Sequence, residues 1–134
     1  MYKKDKHMQP VKIKIGHVTD LTSVLNIPNS YVLSCRSVVC KNVLFSINDI
    51  VLLAKKPPLF GVITNIYVYD SLKILRVNVR PAGYDATSNS FKLSISTESR
   101  FVFIENLAFF KPLPSVSIGT FTHVISKYCN LLPD

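Results

Sequence analysis

The chain has 134 residues, with 16 lysines and arginines against 8 acidic residues and a formal net charge of +8. Because 48% of the residues are hydrophobic and only 4 are glycines, the composition excludes a disordered, collagen-like or low-complexity chain. The length suits one domain with a sizeable core, and the apolar runs are too short to span a bilayer, so we expect no membrane partner.

Basic residues are concentrated at the start of the chain, where residues 1–10 are expected to form a flexible arm. The first 14 residues contain one acidic residue and five lysines: Lys3, Lys4, Lys6, Lys12 and Lys14. Two interpretations stay open. The segment is either a solvated, frayed terminus or a basic arm that binds the phosphates of a nucleic acid.

Residues 11–129 are predicted to form a single β domain, with a loose tail over residues 130–134. The domain begins with an edge strand, in which Val11, Ile13 and Ile15 alternate with lysines on the solvent face. A short helix is predicted over Asp20–Asn29, because Asp20 can cap its first turn and Pro28 ends it.

From Tyr31 onward, short β-type runs alternate with turn signals such as Lys41-Asn42, Pro57-Pro58 and Asp70-Ser71. The predicted strands are Tyr31–Cys35, Ser37–Cys40, Val43–Phe45, Ile50–Ala54, Leu59–Tyr69, Leu72–Val79, Phe91–Ile95, Arg100–Ile104 and Thr122–Tyr128. Residues 82–89 are predicted to be a polar loop and residues 105–107 a single helical or 3₁₀ turn. Pro112 and Pro114 are predicted to close this unit before the last strand. Strands at this spacing are expected of a small barrel or sandwich.

Two stretches carry a resemblance to known families. The pattern in Phe45–Leu53, Phe60–Ile66 and Leu72–Val79 resembles SH3-like barrels, among them bromo-adjacent homology domains and related chromatin readers. Glu105–Pro114 followed by His123–Lys127 is similar to an uncharacterised C-terminal module of transposon-derived animal proteins. The resemblance implies a mainly β fold, a small SH3-like β-barrel with strand extensions and one or two short helical turns. It also implies a non-catalytic module that docks peptide, protein or nucleic acid inside the cell, in the nucleus.

The sequence lacks the usual catalytic and metal-binding patterns. Cys35, Cys40 and Cys129 form no CxxC pair, and their odd number favours a reducing compartment over a disulfide framework. The histidines are too scattered for a zinc site. A nucleophilic pair of Cys40 with His123 stays open, although buried cysteines are far commoner. We expect no enzyme activity, no metal and no cofactor.

Two single residues have structural interpretations. Asp49 precedes a strand and is expected to accept hydrogen bonds from turn amides. Gly61 lies inside a predicted strand, which indicates a bulge or a close backbone approach.

Two groups of side chains are candidate binding sites. Lys73, Arg76 and Arg80 alternate along one strand and, with Lys92 and Arg100 on later strands, would form an outward basic stripe for phosphates if these strands are neighbours. The alternative is a solubilising face.

The second group is aromatic. Tyr67 and Tyr69 share one strand face and, with Tyr84, would stack on bases or cage a methylated lysine; the alternative is that they cover the core. We therefore predict a binding module for a protein or peptide partner. A nucleic-acid-binding β-barrel that uses the basic arm and the basic strand face is the alternative.

Overall fold

The structure is a computed structural model that describes residues 32–128 and the backbone of residues 11–13. The predicted helix over residues 20–29 and the predicted tail lie outside the described residues. So do Lys3, Lys4, Lys6, Lys14 and Cys129, and the side chain of Lys12.

The described residues form twelve strands and two 3₁₀ turns, so the chain is mainly β, as predicted. The strands are β1 (Val11–Ile13), β2 (Val32–Cys35), β3 (Ser37–Cys40), β4 (Val43–Ser46), β5 (Ile50–Lys55), β6 (Pro58–Tyr69), β7 (Leu72–Asp85), β8 (Ser90–Leu93), β9 (Ser99–Phe103), β10 (Phe109–Leu113), β11 (Ser115–Ile118) and β12 (Phe121–Ile125). The 3₁₀ turns are Ile104–Asn106, as predicted, and Ser126–Tyr128.

Strands β6 and β7 form the centre of the fold. They pair antiparallel from the turn at Asp70-Ser71 as far as Leu59 opposite Pro81. Asp70 has a φ of 56°, in the left-handed region that tight hairpin turns use. Both strands are long enough for two partners on their outer edges. β6 pairs with β5 and then β2, and β7 pairs with β9 and then β8.

The ten-stranded sheet runs in the order β1-β2-β6-β7-β8-β12-β11. In addition, β5 pairs with β6, β10 pairs with β5, and β9 pairs with β7. The β3–β4 hairpin is a separate two-stranded sheet. Its turn residues Lys41 and Asn42 have φ values of 50° and 66°, which confirms the predicted two-residue link. The curled sheet and this hairpin together make a small barrel-like domain, as predicted.

The core consists of three clusters of buried apolar side chains, because β7 is covered on both faces. Leu75 and Val77 pack on one face with residues of the β3–β4 hairpin such as Phe45. Ile74 has the opposite orientation and packs in a cluster with Tyr67. The remaining cluster lies at the other end of the sheet, between β5, β6, β8 and β12, and contains Leu52, Phe60, Phe91 and Val124.

Three sequence predictions about the second half of the chain were wrong. Residues 82–85 are strand, not loop, because β8 pairs with them and Ala82 packs against the core. Pro112 lies inside β10, which pairs with β5 through an irregular register, and β11 follows directly after it. Proline is tolerated there because an edge or bulge position needs no ladder donor. The last strand ends at Ile125 and is followed by a 3₁₀ turn.

The predictions for Asp49 and Gly61 agree with the structure. Asp49 Oδ2 accepts a hydrogen bond from the Ser46 backbone N–H at 2.8 Å. Burial raises the pKa of the Asp49 carboxyl, and the hydrogen bond from Ser46 opposes that rise. Gly61 marks a close approach, since a Cβ there would lie 3.0 Å from the Cβ of Val77. The register shift between β6 and β7 lies further along, beyond Ile63.

Gly61→Ala is expected to lower the free energy of unfolding by roughly 1–3 kcal/mol, because the added methyl group overpacks the contact with Val77 and Leu53. Gly83→Ala is the matched control in β7, where a Cβ meets nothing within 4 Å and the expected change is below about 0.5 kcal/mol. Urea denaturation measures both. Equal effects of the two substitutions would contradict the close approach.

Candidate functional site

The predicted basic stripe is divided between two faces of the sheet. Arg76 and Arg80 have the same orientation on β7 and share one face. The strand register puts Lys73, Lys92 and Arg100 at positions that project from the opposite face. The five residues of the predicted stripe therefore do not form one surface, because two project from one face of the sheet and three from the other.

Of the two arginines on this shared face, Arg76 is engaged within the domain and Arg80 is half-buried. Arg76 Nε donates a hydrogen bond to Ser99 Oγ at 3.0 Å, and its guanidinium lies 5.6 Å from the ring centroid of Phe101. Arg80 is half-buried, and its Nε is shielded from solvent without a hydrogen-bond partner. On the other face, Arg100 pairs with Glu98. These contacts reduce the number of guanidinium groups that are free to meet phosphates.

The three predicted tyrosines do not form a single aromatic site. Tyr67 and Tyr69 share one face of β6, as predicted, but Tyr67 is only 9% exposed and packs against Phe101. Tyr84 lies at the opposite end of β7, edge-on to Phe91, with its hydroxyl donating to Asn89 Oδ1. The expectation of exposed stacking by Tyr67 is corrected, because this face of β6 is covered by core packing.

A group of exposed apolar side chains lies on the β11–β12 hairpin and was not predicted from the sequence. Val116 is 46% exposed, Ile118 is 44% exposed and Phe121 is 42% exposed. The register sets Val116 opposite His123 and Ile118 opposite Phe121, so these side chains share one face. We call Val116, Ile118, Phe121 and the neighbouring Lys92 the hairpin face.

Within the described part of the chain, β11 is the last strand of the sheet and pairs with β12 alone. All four of its residues are exposed. A two-residue turn joins the strands, and Gly119 at its first position has a φ of 64°. The two residues that flank such a turn, here Ile118 and Phe121, exchange both backbone hydrogen bonds. Along the hairpin, hydrogen-bonded pairs then alternate with pairs whose backbone groups point away from the partner strand. Ser115 and Ser117 therefore direct their N–H and C=O groups toward the free edge.

The free edge of β11 has neither a charged residue nor a proline inside the strand. Three other edges in the described part of the chain contain a charged residue: β1 contains Lys12, β9 contains Arg100 and β10 contains Lys111. The two strands of the separate hairpin, β3 and β4, are also uncharged, but each has only one exposed residue. Charged residues and prolines are the usual devices against unwanted strand pairing. β11 is thus an exposed strand edge that lacks them.

Lys92 places a positive charge on the hairpin face. Its Nζ lies 3.7 Å from the ring centroid of Phe121, a cation–π contact. Lys92 pairs with Gly83 on one side and with His123 on the other, so no side chain of β7 stands directly opposite it. The ion pairs among the described residues, Lys41–Glu105 and Arg100–Glu98, do not include Lys92.

A chain of hydrogen bonds begins on the same side of the sheet as the hairpin face, at His123, which lies in register between Val116 and Lys92. His123, 3% exposed, bonds through Nδ1 to Ser90 Oγ at 2.8 Å. Ser90 Oγ bonds to Ser88 Oγ at 2.5 Å, and Ser88 Oγ donates to Asp85 Oδ2 at 2.9 Å. The hydrogen bond from Ser88 lowers the pKa of Asp85, and hydrogen bonds from Thr87 lower it further. The charge of His123 adds to this lowering when the ring is protonated.

Counting hydrogens along this chain fixes the tautomer of His123. An ionised Asp85 only accepts, so the single hydroxyl hydrogen of Ser88 points to it. Ser90 must then donate to Ser88, which leaves Ser90 no hydrogen for the imidazole. Nδ1 of His123 is therefore the donor to Ser90, and the neutral ring carries its hydrogen on Nδ1.

The cysteine chemistry left open by the sequence finds no support in these contacts. Cys35 and Cys40 are buried free thiols in the cluster beneath the β3–β4 hairpin, and burial raises the pKa of the Cys35 thiol. Nδ1 of His123 bonds to Ser90. The described residues include no hydrogen bond between Cys40 and His123.

Residues 32–128 contain no group of three or more side chains placed to hold a metal ion. No helix among the described residues is long and apolar enough to cross a membrane. A cavity of about 330 Å³ lies beside the β6–β7 turn, lined by Lys73, Phe103 and Glu105 among others. Comparisons with protein-family models, curated proteins and solved structures give no significant match.

The Nδ1–H tautomer of His123 is expected in long-range ¹H–¹⁵N spectra recorded at a pH where the ring is neutral. Ser90→Ala removes the acceptor, so the tautomer ratio is expected to shift toward Nε2–H. It is also expected to lower the free energy of unfolding by roughly 1–3 kcal/mol, because a buried donor loses its partner. A neutral wild-type ring protonated on Nε2 would contradict the hydrogen count.

Proposed function

We propose that this protein is a non-catalytic binding module that recognises an extended segment of a protein partner by strand addition to β11. The observation that carries the proposal is that β11 is an uncharged strand at the end of the described sheet and that all four of its residues are exposed. In strand addition, the main-chain groups of a sheet edge supply affinity, and contacts to alternate side chains supply specificity.

The side chains around β11 define the pattern of the partner segment. Residues of an added strand that lie opposite Val116 and Ile118 project onto the hairpin face, where their contacts are apolar. Residues between them project beside Ser115 and Ser117, where their contacts are polar. A segment that alternates apolar and polar residues is therefore the best match.

The resemblance to chromatin-reader barrels supports a partner inside the nucleus, and this location stays a prediction. The proposed mode differs from recognition by an aromatic cage, in which the rings must lie close together. Tyr67, on β6, pairs with a residue near the start of β7, whereas Tyr84 lies near the end of β7. Backbone pairing at the edge of the sheet takes the place of the cage.

Nucleic-acid binding is the second candidate, favoured by Arg76 and Arg80 on one face of β7 beside Phe101. The test is filter binding of DNA and RNA at two salt concentrations. If this candidate is correct, retention weakens steeply as salt rises, and charge reversal of both arginines abolishes it while the domain stays folded. Absence of retention at low salt removes this candidate.

Ser117→Pro is expected to weaken binding of a matching peptide by about tenfold or more, because proline removes the N–H that Ser117 directs to the free edge. The hairpin should remain folded, since edge strands accept proline where the N–H faces solvent. The probe is an array of short peptides that alternate valine or isoleucine with variable polar residues. Ser117→Ala, which keeps the N–H, is the matched control and should bind like the wild type.

Circular dichroism and thermal unfolding establish that both variants are folded. If Ser117→Pro disturbs the fold, the same array with N-methylated backbone amides tests the pairing from the side of the peptide. Binding that survives both changes would overturn strand addition, and so would a wild-type chain that retains none of the peptides.

A further inference from the structure

The charges around β11 distinguish between partners for its free edge. From Asn106 to Pro133 the sequence contains no aspartate or glutamate, although it contains Lys111 and Lys127. Strands β10, β11 and β12 therefore contribute no carboxylate of their own. Lys92 adds a further cation on the hairpin face, beside Phe121.

Lys92 is available to a partner because of what surrounds it. Phe121 lies on one side of its ammonium group, and a ring face leaves the outer N–H donors free for an acceptor. Its register partner on β7 is Gly83, and a Cβ added at Gly83 would meet nothing within 4 Å. Within the described part of the chain Lys92 is exposed and has no carboxylate partner.

We infer that the segment bound at β11 is acidic at the end that lies beside the β11–β12 turn, as well as alternating in its centre, and that Lys92 is the residue that selects for the acidic groups. The inference rests on the proposed strand addition and names its partner chemistry. Lys92 leans over Phe121, which pairs with Ile118 beside the turn, so its charge lies at the turn end of the added strand. Strands β12 and β11 lie between β8 and the added strand, so the ammonium group acts on carboxylates there through space, over roughly one Debye length, and not by direct contact.

The same charges argue against a second copy of this chain as the occupant. Pairing β11 with its own copy would bring two acid-free hairpins together. Each hairpin has Lys92 on its face and is flanked in sequence by Lys111 and Lys127. Like charges placed across an interface oppose association. The net charge of +8 on each copy acts in the same direction.

Three synthetic peptides test the inference. They share one alternating apolar core and carry glutamate, glutamine or lysine residues at both ends, since the direction of the added strand is left open. The wild-type chain is expected to bind the glutamate peptide most tightly and the lysine peptide most weakly. This preference should fall at high salt, because exposed charges are screened.

Lys92→Glu should reduce the ratio of affinities for the glutamate and lysine peptides by about tenfold. Lys73→Glu is the matched control. Lys73→Glu changes the net charge of the chain by the same amount as Lys92→Glu. Lys73 lies on β7, ten residues before Gly83, the residue that pairs with Lys92. A ratio that drops only in Lys92→Glu supports Lys92 as the specificity residue. Equal drops in both variants would mean that overall charge is responsible and would overturn its role.

The two proposals fail in different ways. If the three peptides bind the wild type equally well, and Ser117→Pro weakens all of them, strand addition stands and the acidic partner is wrong. If none of the peptides binds, strand addition itself fails. A dimer in sedimentation that Ser117→Pro dissociates would replace the acidic segment with a second copy of the chain.

Discussion

The long pairing of β6 with β7 is the constraint on which the rest of the fold depends. Every other strand of the described sheet is joined to this pair directly or through one intervening strand, except β11, which is joined through β12 and β8. Close packing along the pair needs Gly61, because Val77 occupies the space that a side chain would take. Both strands are covered on two faces, which explains why Ile74 and Leu75 are adjacent and both buried. The sheet buries one face at one end and the opposite face at the other end, which is possible because β6 and β7 extend through both ends of the sheet.

Local chemistry determines which parts of this fold the sequence can predict. Asn42 and Asp70 tolerate a left-handed backbone, and the turns that contain them occur at the positions predicted from the sequence. The extent of β7 is set by a distant partner: Gly83 and Tyr84 look like loop residues until β8 pairs with them. Pro112 likewise reads as a strand breaker, although an irregular edge pairing accommodates it. The positions of the turns can therefore be predicted from local sequence, whereas the lengths of the strands depend on tertiary pairing.

The candidate site was harder to predict because it depends on exposure and register. Arg80 and Lys92 look like one basic group by residue type, but the register of β7 with β8 puts them on opposite faces. Val116 and Ile118 alternate with serines as any half-buried strand would. Only the order of the strands leaves this pair at the outer edge of the sheet, with no described strand beyond. Residue type can predict the chemistry of a surface, whereas strand order decides which residues make that surface.

The hydrogen-bond chain that begins at buried His123 gives the exposed edge a rigid support. His123 lies in register between Val116 on β11 and Lys92 on β8, on the same side of the sheet as the hairpin face, and its hydrogen bond to Ser90 fixes its position. Through Ser88 and Asp85 the same chain extends into the β7–β8 loop. A satisfied polar network of this kind holds one arrangement, since any slip of β12 against β8 would leave its groups unpaired. An edge held in this way loses little conformational entropy when a strand is added to it, which favours binding. Rigid support and an unprotected edge are both needed for recognition by strand addition, and they occur together on β11 and β12.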